Sequence, residues 1–540
     1  MKRIQGPARV RGCIGVPWAT SVRQTFAVTL SSSIILRERA VNQINYLGVL
    51  RLVAVCAVAL SIAACGQRDQ PASDTVTAGA KVPVTTSSDE ARELFMQGRA
   101  LFDDLHFVEA HDVFVQVVEA DSEFASGYLM LATTALTAAE FFEAVAKADE
   151  FAGSASEGEQ LYIRAIVAAA ELDQDAQREV LGELITLYPQ DERTHAQLAI
   201  FLFAQQDFAG AVEHYKHALA INPDYASAQN LIGYTYRSLE DFDNAKIAFE
   251  RYVELIPDEA NPYDSYAEFL MEMGNYDDSI ESYRKALKID SYFSASYAGI
   301  SVNESLRGDA EMAQEAADQM LAAARNFTER QGAMFRSVTS HLFAGNTEAA
   351  MDISAVMLAE AEVQGNYAAM GGVVEYMGDI MLAAGDAVQA EHYYNAALDH
   401  RLVAGFSEAN QAQAERAHMF KTAICAMLGD DAEAAATRTA EYIAAAEMNG
   451  TAFERRRIHE LSGFLAMSNE ENESAVAHFA QASQLNPIVL YWSAAVHAEL
   501  GNTEMAVDLA TRAANRNTLS GNLPFFRQNA LRLVAKLQSE

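Results

Sequence analysis

The chain has 540 residues and a mass of 58.8 kDa, with 39 Lys and Arg against 74 Asp and Glu, a formal net charge of −35 at pH 7. Half of the residues are hydrophobic and 21% are charged, a globular balance rather than a disordered one. So acidic a chain repels phosphates, which excludes nucleic-acid or anionic-membrane binding as its main task. Cys13, Cys56, Cys65 and Cys425 are too few and too scattered for a disulfide framework or a zinc site. Only 10 prolines interrupt an alanine-rich sequence, so helix is predicted throughout.

The first stretch differs from the rest. Residues 1–65 carry eight basic side chains against one acid, Glu38, leaving a net of −42 on residues 66–540. An apolar tract runs from Leu52 to Ala64 behind Arg51. As helix it covers roughly 20 Å, short of the ~30 Å hydrocarbon core, so it reads as a signal h-region and not a spanning anchor. It ends in Ile62-Ala63-Ala64-Cys65, which looks like a bacterial lipobox: small residues let a peptidase reach the bond, and the Cys65 thiol takes a diacylglyceryl group. Gly66 rather than Asp follows, which by resemblance to enterobacterial sorting implies the outer membrane, facing the periplasm. Residues 41–64 are thus expected to form a lipoprotein signal peptide starting at Val41, with 1–40 a mis-assigned upstream extension. Residues 65–89 are the lipidated cysteine and a tether rich in Ser, Thr, Gly, Pro and Ala. Such a tether spans ~27 Å root-mean-square if flexible.

A repeat follows. Pro189, Pro223 and Pro257 lie 34 residues apart, and one template recurs around them: a small residue, a large one at +3, small at +12, aromatic at +16, small at +19, proline at +24. It reads Ala199, Leu202, Ala211, Tyr215, Ala218, Pro223, and then Gly233, Tyr236, Ala245, Phe249, Tyr252, Pro257. Ala267, Leu270, Ser279, Tyr283 and Ala286 continue it. It returns from Gly98, from Gly378, and in full from Gly463 to Pro487. Small residues let two antiparallel helices approach, and proline separates one pair from the next because it lacks an amide donor. Turns between paired helices are marked by Gly274-Asn275, Gly308-Asp309, Gly345-Asn346, Gly385-Asp386, Gly429-Asp430 and Gly501-Asn502, the glycine accepting a left-handed cap.

This pattern resembles the tetratricopeptide repeat family, whose period is 34. The resemblance implies an all-α, right-handed superhelical solenoid of about twelve antiparallel helix pairs over 90–520. Residues 521–540 are expected to be a C-terminal capping helix beginning near Pro524. Widening glycine spacing predicts longer helices in the middle of the chain.

No phosphate loop, nucleophile elbow, zincin helix or Cys-x-x-Cys occurs, so a non-enzymatic protein without cofactor or metal is expected. His214 and His217 beside Glu213 could share a helix face and touch a metal, but are read as surface histidines of a second repeat helix. Cys425 reads as a buried small hydrophobe, and Arg455-Arg456-Arg457 as a solvated fan. By the family resemblance, the first helix of each pair lines a concave groove. Its inward positions are Asn230, Tyr234 and Arg237 in one repeat, Asp264, Glu268 and Met271 in the next, and Ala196, Ile200 and Phe203 in the one before. These are candidate peptide contacts, or exposed helix residues with no ligand. Tyr225 to Tyr297 holds fourteen Tyr and Phe, most at template positions and hence core.

The function expected is a scaffold or adaptor in the bacterial cell envelope, with protein or peptide partners and a membrane attachment through the lipid on Cys65. The alternative is a nutrient or glycan capture lipoprotein handing ligand to a transporter. Against it, Trp492 is the one tryptophan after residue 65, and sugar sites favour exposed tryptophan. A third class, a sensory regulator, lacks any signalling domain.

Overall fold

The computed structural model describes residues 81–103 and 106–539. The leader, Cys65 and the first part of the tether lie outside them. Among the described residues the regular structure is helical, without strands. No helix there is long and apolar enough to cross a membrane.

Among the described residues twenty-five α-helices form twelve successive pairs and one last helix. The first three pairs are α1 (Asp89–Asp103) with α2 (Phe107–Ala120), α3 (Ala125–Thr134) with α4 (Ala138–Phe151), and α5 (Glu157–Ala170) with α6 (Gln174–Leu187). The best template matches are α7 (Glu192–Ala204) with α8 (Phe208–Ile221), α9 (Ala226–Ser238) with α10 (Phe242–Leu255), and α11 (Ala260–Glu272) with α12 (Tyr276–Ile289). Next come α13 (Ser294–Arg307) with α14 (Ala310–Ala323), α15 (Phe327–Phe343) with α16 (Thr347–Val363), and α17 (Tyr367–Ala383) with α18 (Ala387–Leu402). The last pairs are α19 (Glu408–Leu428) with α20 (Ala432–Asn449), α21 (Ala452–Ser468) with α22 (Asn472–Phe479), and α23 (Pro487–Glu499) with α24 (Thr503–Ala514). Helix α25 (Leu523–Ser539) packs on α24 and also reaches α23 and α15.

The template acts through one contact. A Cβ placed on Gly98, Gly233, Gly378 or Gly463 would sit 2.6–2.9 Å from the ring of Phe114, Phe249, Tyr394 or Phe479, the aromatic sixteen residues later. The small residue is therefore the seat of its partner's ring, and the ring closes the pair. The seated rings are almost wholly buried, Phe114, Phe249 and Phe479 at 0%. Most of the described turns within pairs then use a left-handed residue followed by a helix cap. Gly274, Gly308, Gly345, Gly385 and Gly501 have φ between 76° and 86°. Asp309 and Asp386 accept the backbone N–H three residues on, at 3.0 Å, the N-cap bond that satisfies an orphan donor of the first turn.

The turn expected at Gly429-Asp430 is shifted by one residue. Gly429 has φ −77°, while Asp430 takes the left-handed place at 56° and Asp431 is the cap. A serial carboxylate pair permits this, since Asp tolerates that conformation better than most side chains.

Helices α7 to α14 run 13 or 14 residues, whereas α15 to α21 run 16 to 21. Contacts then join distant windings. The Arg325 guanidinium meets Glu109 at 2.9 Å, and the Asn410 side-chain amide donates to the Ala170 carbonyl at 2.9 Å. The rings of Phe142 and Phe406 meet edge-on, 6.4 Å apart.

Candidate functional site

In a solenoid the first helix of each pair offers a row of side chains to a ligand, and here two segments of the chain itself lie across those rows. The first is residues 81–88. Placed by sequence in a flexible tether, they are instead extended and docked against α3, α5 and α7. Val82 is fully buried and Val84 nearly so. The Val82 N–H donates to the Asp191 carboxylate at 2.9 Å, and the Thr85 N–H to Glu159 at 2.9 Å. Lys81 pairs with Glu192, and Thr86 donates its hydroxyl to Asp121. The physical reason is that Glu159 and Asp191, at the starts of α5 and α7, each accept a main-chain donor of the segment beside their own capping bonds, while Gly158 leaves room for the Val82 side chain. A Cβ on Gly158 would lie 2.8 Å from it.

Glu159 organises this end. Besides Thr85 it accepts the Ser126 hydroxyl at 2.7 Å, and it closes a capping box with Ser156 at the start of α5. Asp191 caps α7 through the Arg193 N–H at 3.0 Å. Its burial pushes its carboxyl up, against the bonds from the Val82 and Arg193 amides that pull it down.

The second segment is 515–522, between α24 and α25. Here the Tyr376 hydroxyl donates to the Gly521 carbonyl at 2.9 Å, Arg336 donates to the Leu519 carbonyl at 3.1 Å, and Leu519 packs on Met271, Val302 and Leu306. Arg516 approaches Glu240 at 3.5 Å and Glu272 at 4.0 Å. The segment thus crosses the ends of α9, α11 and α13 and continues onto α15 and α17.

This changes the reading of the six proposed groove contacts. Met271 is wholly buried, Asp264 is 5% exposed and Asn230 9%. Asp264 accepts the Ser296 hydroxyl at 2.6 Å, and the Asn230 side chain donates to Asn261 at 3.3 Å. Tyr234, Arg237 and Glu268 are half-buried and bonded to one another. Glu268 accepts the Tyr234 hydroxyl at 2.9 Å and Arg237 at 3.0 Å, and Arg237 also meets Glu272 at 3.0 Å. The row is inter-repeat packing: side chains long enough to reach a ligand reach the next first helix instead. Burial pushes Asp264 up to about 7, with the bond from Ser296 opposing it and the nearby Glu268 reinforcing it. Burial works against the Arg237 charge, but Glu268 and Glu272 outweigh it and hold the guanidinium firmly protonated. One repeat earlier, Ala196 and Ile200 are buried and Phe203 half-buried.

The other marked residues sort simply. Cys425 is buried in α19, and burial pushes its thiol up. In the arginine triplet, Arg455 is exposed but Arg457 is 6% exposed and stacked 3.6 Å above the Phe420 ring. The solvated fan therefore fails for Arg457, because the preceding helix pair presents an aromatic face to it. Trp492 is 1% exposed and offers no sugar platform.

Serial helix pairs with seated aromatics, crossed by extended segments, define a helical-repeat scaffold. A family model for the TPR repeat matches residues 202–239, and one for the tetratricopeptide repeat matches 226–259 and 260–293. Residues 202–293 are tetratricopeptide repeats, and such repeats indicate a scaffold for protein–protein interaction. Among solved structures the chain is similar to the APC/C hetero-tetramer Cut9–Hcn1, at 15% identity over 78% of this chain and 76% of that one, TM-score 0.39. A tetratricopeptide repeat protein from Parabacteroides merdae is 13% identical over 48% of this chain and 98% of its own, TM-score 0.34. MamA protein is 19% identical over 31% and 91%, TM-score 0.27. No curated protein matches the sequence.

Proposed function

We propose that this protein is a non-enzymatic adaptor of the bacterial cell envelope, anchored to the outer membrane by a lipid on Cys65 and facing the periplasm, where it gathers proteins by binding extended segments. The observation that carries the binding mode is the docked stretch 81–88. Its backbone amides are read by Asp191 and Glu159 and its valines are buried, so the first helices hold an extended chain through main-chain donors and buried side chains together. The sequence from Leu52 to Cys65 supports the anchoring.

Two measurements test the reading. Cross-linking of the intact protein in detergent-solubilised envelope, with mass-spectrometric mapping, should place a partner segment on the first helices of the repeats. A synthetic peptide of residues 80–89 in excess should displace it. Cross-links confined to outer helix faces, or indifferent to the peptide, would refute the groove. Separately, Cys65→Ala should abolish incorporation of a labelled fatty acid and release the protein from membranes; continued labelling would refute the anchor. A glycan-capture role is less well supported, since Trp492 is buried.

A further inference from the structure

Three histidines, two of them a turn apart in sequence and the third nineteen residues before, meet on the α7–α8 pair. His195 lies in the first turn of α7, and His214 and His217 stand one turn apart on α8. One ring nitrogen of each lies within 4.8 Å of the other two. We propose that His195, His214 and His217 form a binding site for a divalent transition-metal ion of the zinc class, with one coordination position open to solvent or to a bound partner.

The distances suit such an ion. A tetrahedral centre with Zn–N bonds of 2.0–2.1 Å needs ligand nitrogens about 3.3 Å apart. His195 Nδ1 and His214 Nδ1 are 3.2 Å apart. The third ring, His217, stands nearly perpendicular to both, with centroids 5.2 Å from His195 and 6.0 Å from His214. It must close by a small rotation to reach bonding distance. Being exposed at the solvent end of the cluster, it is free to do so.

The tautomer is set for coordination. His195 Nε2 faces the Pro189 carbonyl at 3.2 Å, an acceptor only, so that nitrogen carries the hydrogen and Nδ1 presents its lone pair to the cluster. This backbone carbonyl is the kind of outer partner that orients metal-bound imidazole. The seat is rigid, because His195 is 7% exposed and the pair is closed by Ala199, Ala211 and Tyr215.

The chain carries its own control. His459 and His478 occupy the same two template positions, with Nδ1 atoms again 3.2 Å apart, but the third position holds Gln481. A histidine pair is thus a packing option at this place in the repeat. The third histidine is what makes a ligand set.

The test is titration of the metal-free full-length chain with Zn2+ against a chromophoric chelator, with Co2+ absorption reporting geometry. One ion should bind per chain, with the intense visible bands of tetrahedral Co2+. His217→Gln, an exposed change, should weaken binding at least about tenfold while leaving the metal-free thermal unfolding curve in place. His459→Gln should change nothing. Binding that survives His217→Gln, or is lost equally with His459→Gln, would overturn the proposal, as would the absence of a bound ion in the folded wild type.

Discussion

Tyr376 donates its hydroxyl to the Gly521 carbonyl, 2.9 Å away, and so ties α17 to the segment that leads into the last helix. This bond, the Arg336 bond to Leu519 and the burial of Leu519 hold a stretch with no helix of its own. Tyr376→Phe should cost about 1 kcal/mol, the net worth of such a bond. Amide exchange should accelerate across 515–522 ahead of the flanking helices. Leu519→Asp should release the segment altogether. Hydrogen-exchange mass spectrometry reads both, and unchanged protection in the Leu519 variant would show that the segment is held from elsewhere.

Glu268 answers Tyr234 and Arg237 together, so its removal takes the better partner from Tyr234, which keeps Ser265, and one of two carboxylates from Arg237, which keeps Glu272. Glu268→Ala should destabilise the protein by about 2 kcal/mol, below the 3–5 kcal/mol of a fully buried pair because the site is partly solvated and Glu272 remains. Tyr234→Phe should cost less than half as much. Urea titration decides the order. Equal and negligible losses would return these residues to the role of ligand contacts.

Asp264 gives a dependence on pH with a definite sign. Its folded carboxyl titrates at about 7 against an ordinary 3.8, and Glu460, buried beside Asn486, likewise at about 7 against 4.5. The folded protein therefore keeps protons that the unfolded chain has released. Stability should fall as pH rises from about 4 to about 7 and level off above. Asp264→Asn keeps an oxygen for Ser296 and removes the charge. It should shrink that fall by an amount on the order of 1 kcal/mol or more, measured as unfolding free energy at pH 5 and pH 8. A parallel pH profile in the variant would contradict the assignment.

Two glycines should respond in opposite directions. A Cβ on Gly299 would lie 2.1 Å from the Tyr283 ring, so Gly299→Ala should cost at least 1–3 kcal/mol through overpacking. Gly182 sits exposed inside α6 with nothing within 4 Å, so Gly182→Ala should add about 0.5–1 kcal/mol by helix propensity. Paired thermal melts separate the two.

The helix pairs were readable because their determinants are local. Gly233 and Phe249 are sixteen residues apart, and the ring seat repeats wherever that spacing does. What lay beyond reading was contact between repeats. Tyr234 and Glu268 obey the same template, yet nothing in either position says that they bond to one another rather than to a ligand. Residues 81–88 and 515–522 have no periodicity to betray them, and Tyr376 meets its partner at Gly521, far along the chain. The histidine cluster was visible in part, through His214 and His217 on one helix and the nineteen-residue offset shared by His195–His214 and His459–His478. It gains meaning only when His217 is seen across the helix pair.

The bridges between distant windings, Arg325 to Glu109 and Asn410 to Ala170, bear on how the molecule responds to force. A stack joined only through its neighbours stretches like a spring, each repeat yielding a little. Here the coil is stitched across its turns, so a pull on the ends meets stiff resistance until those stitches part. Lengthening should then come as an abrupt step instead of a gradual give.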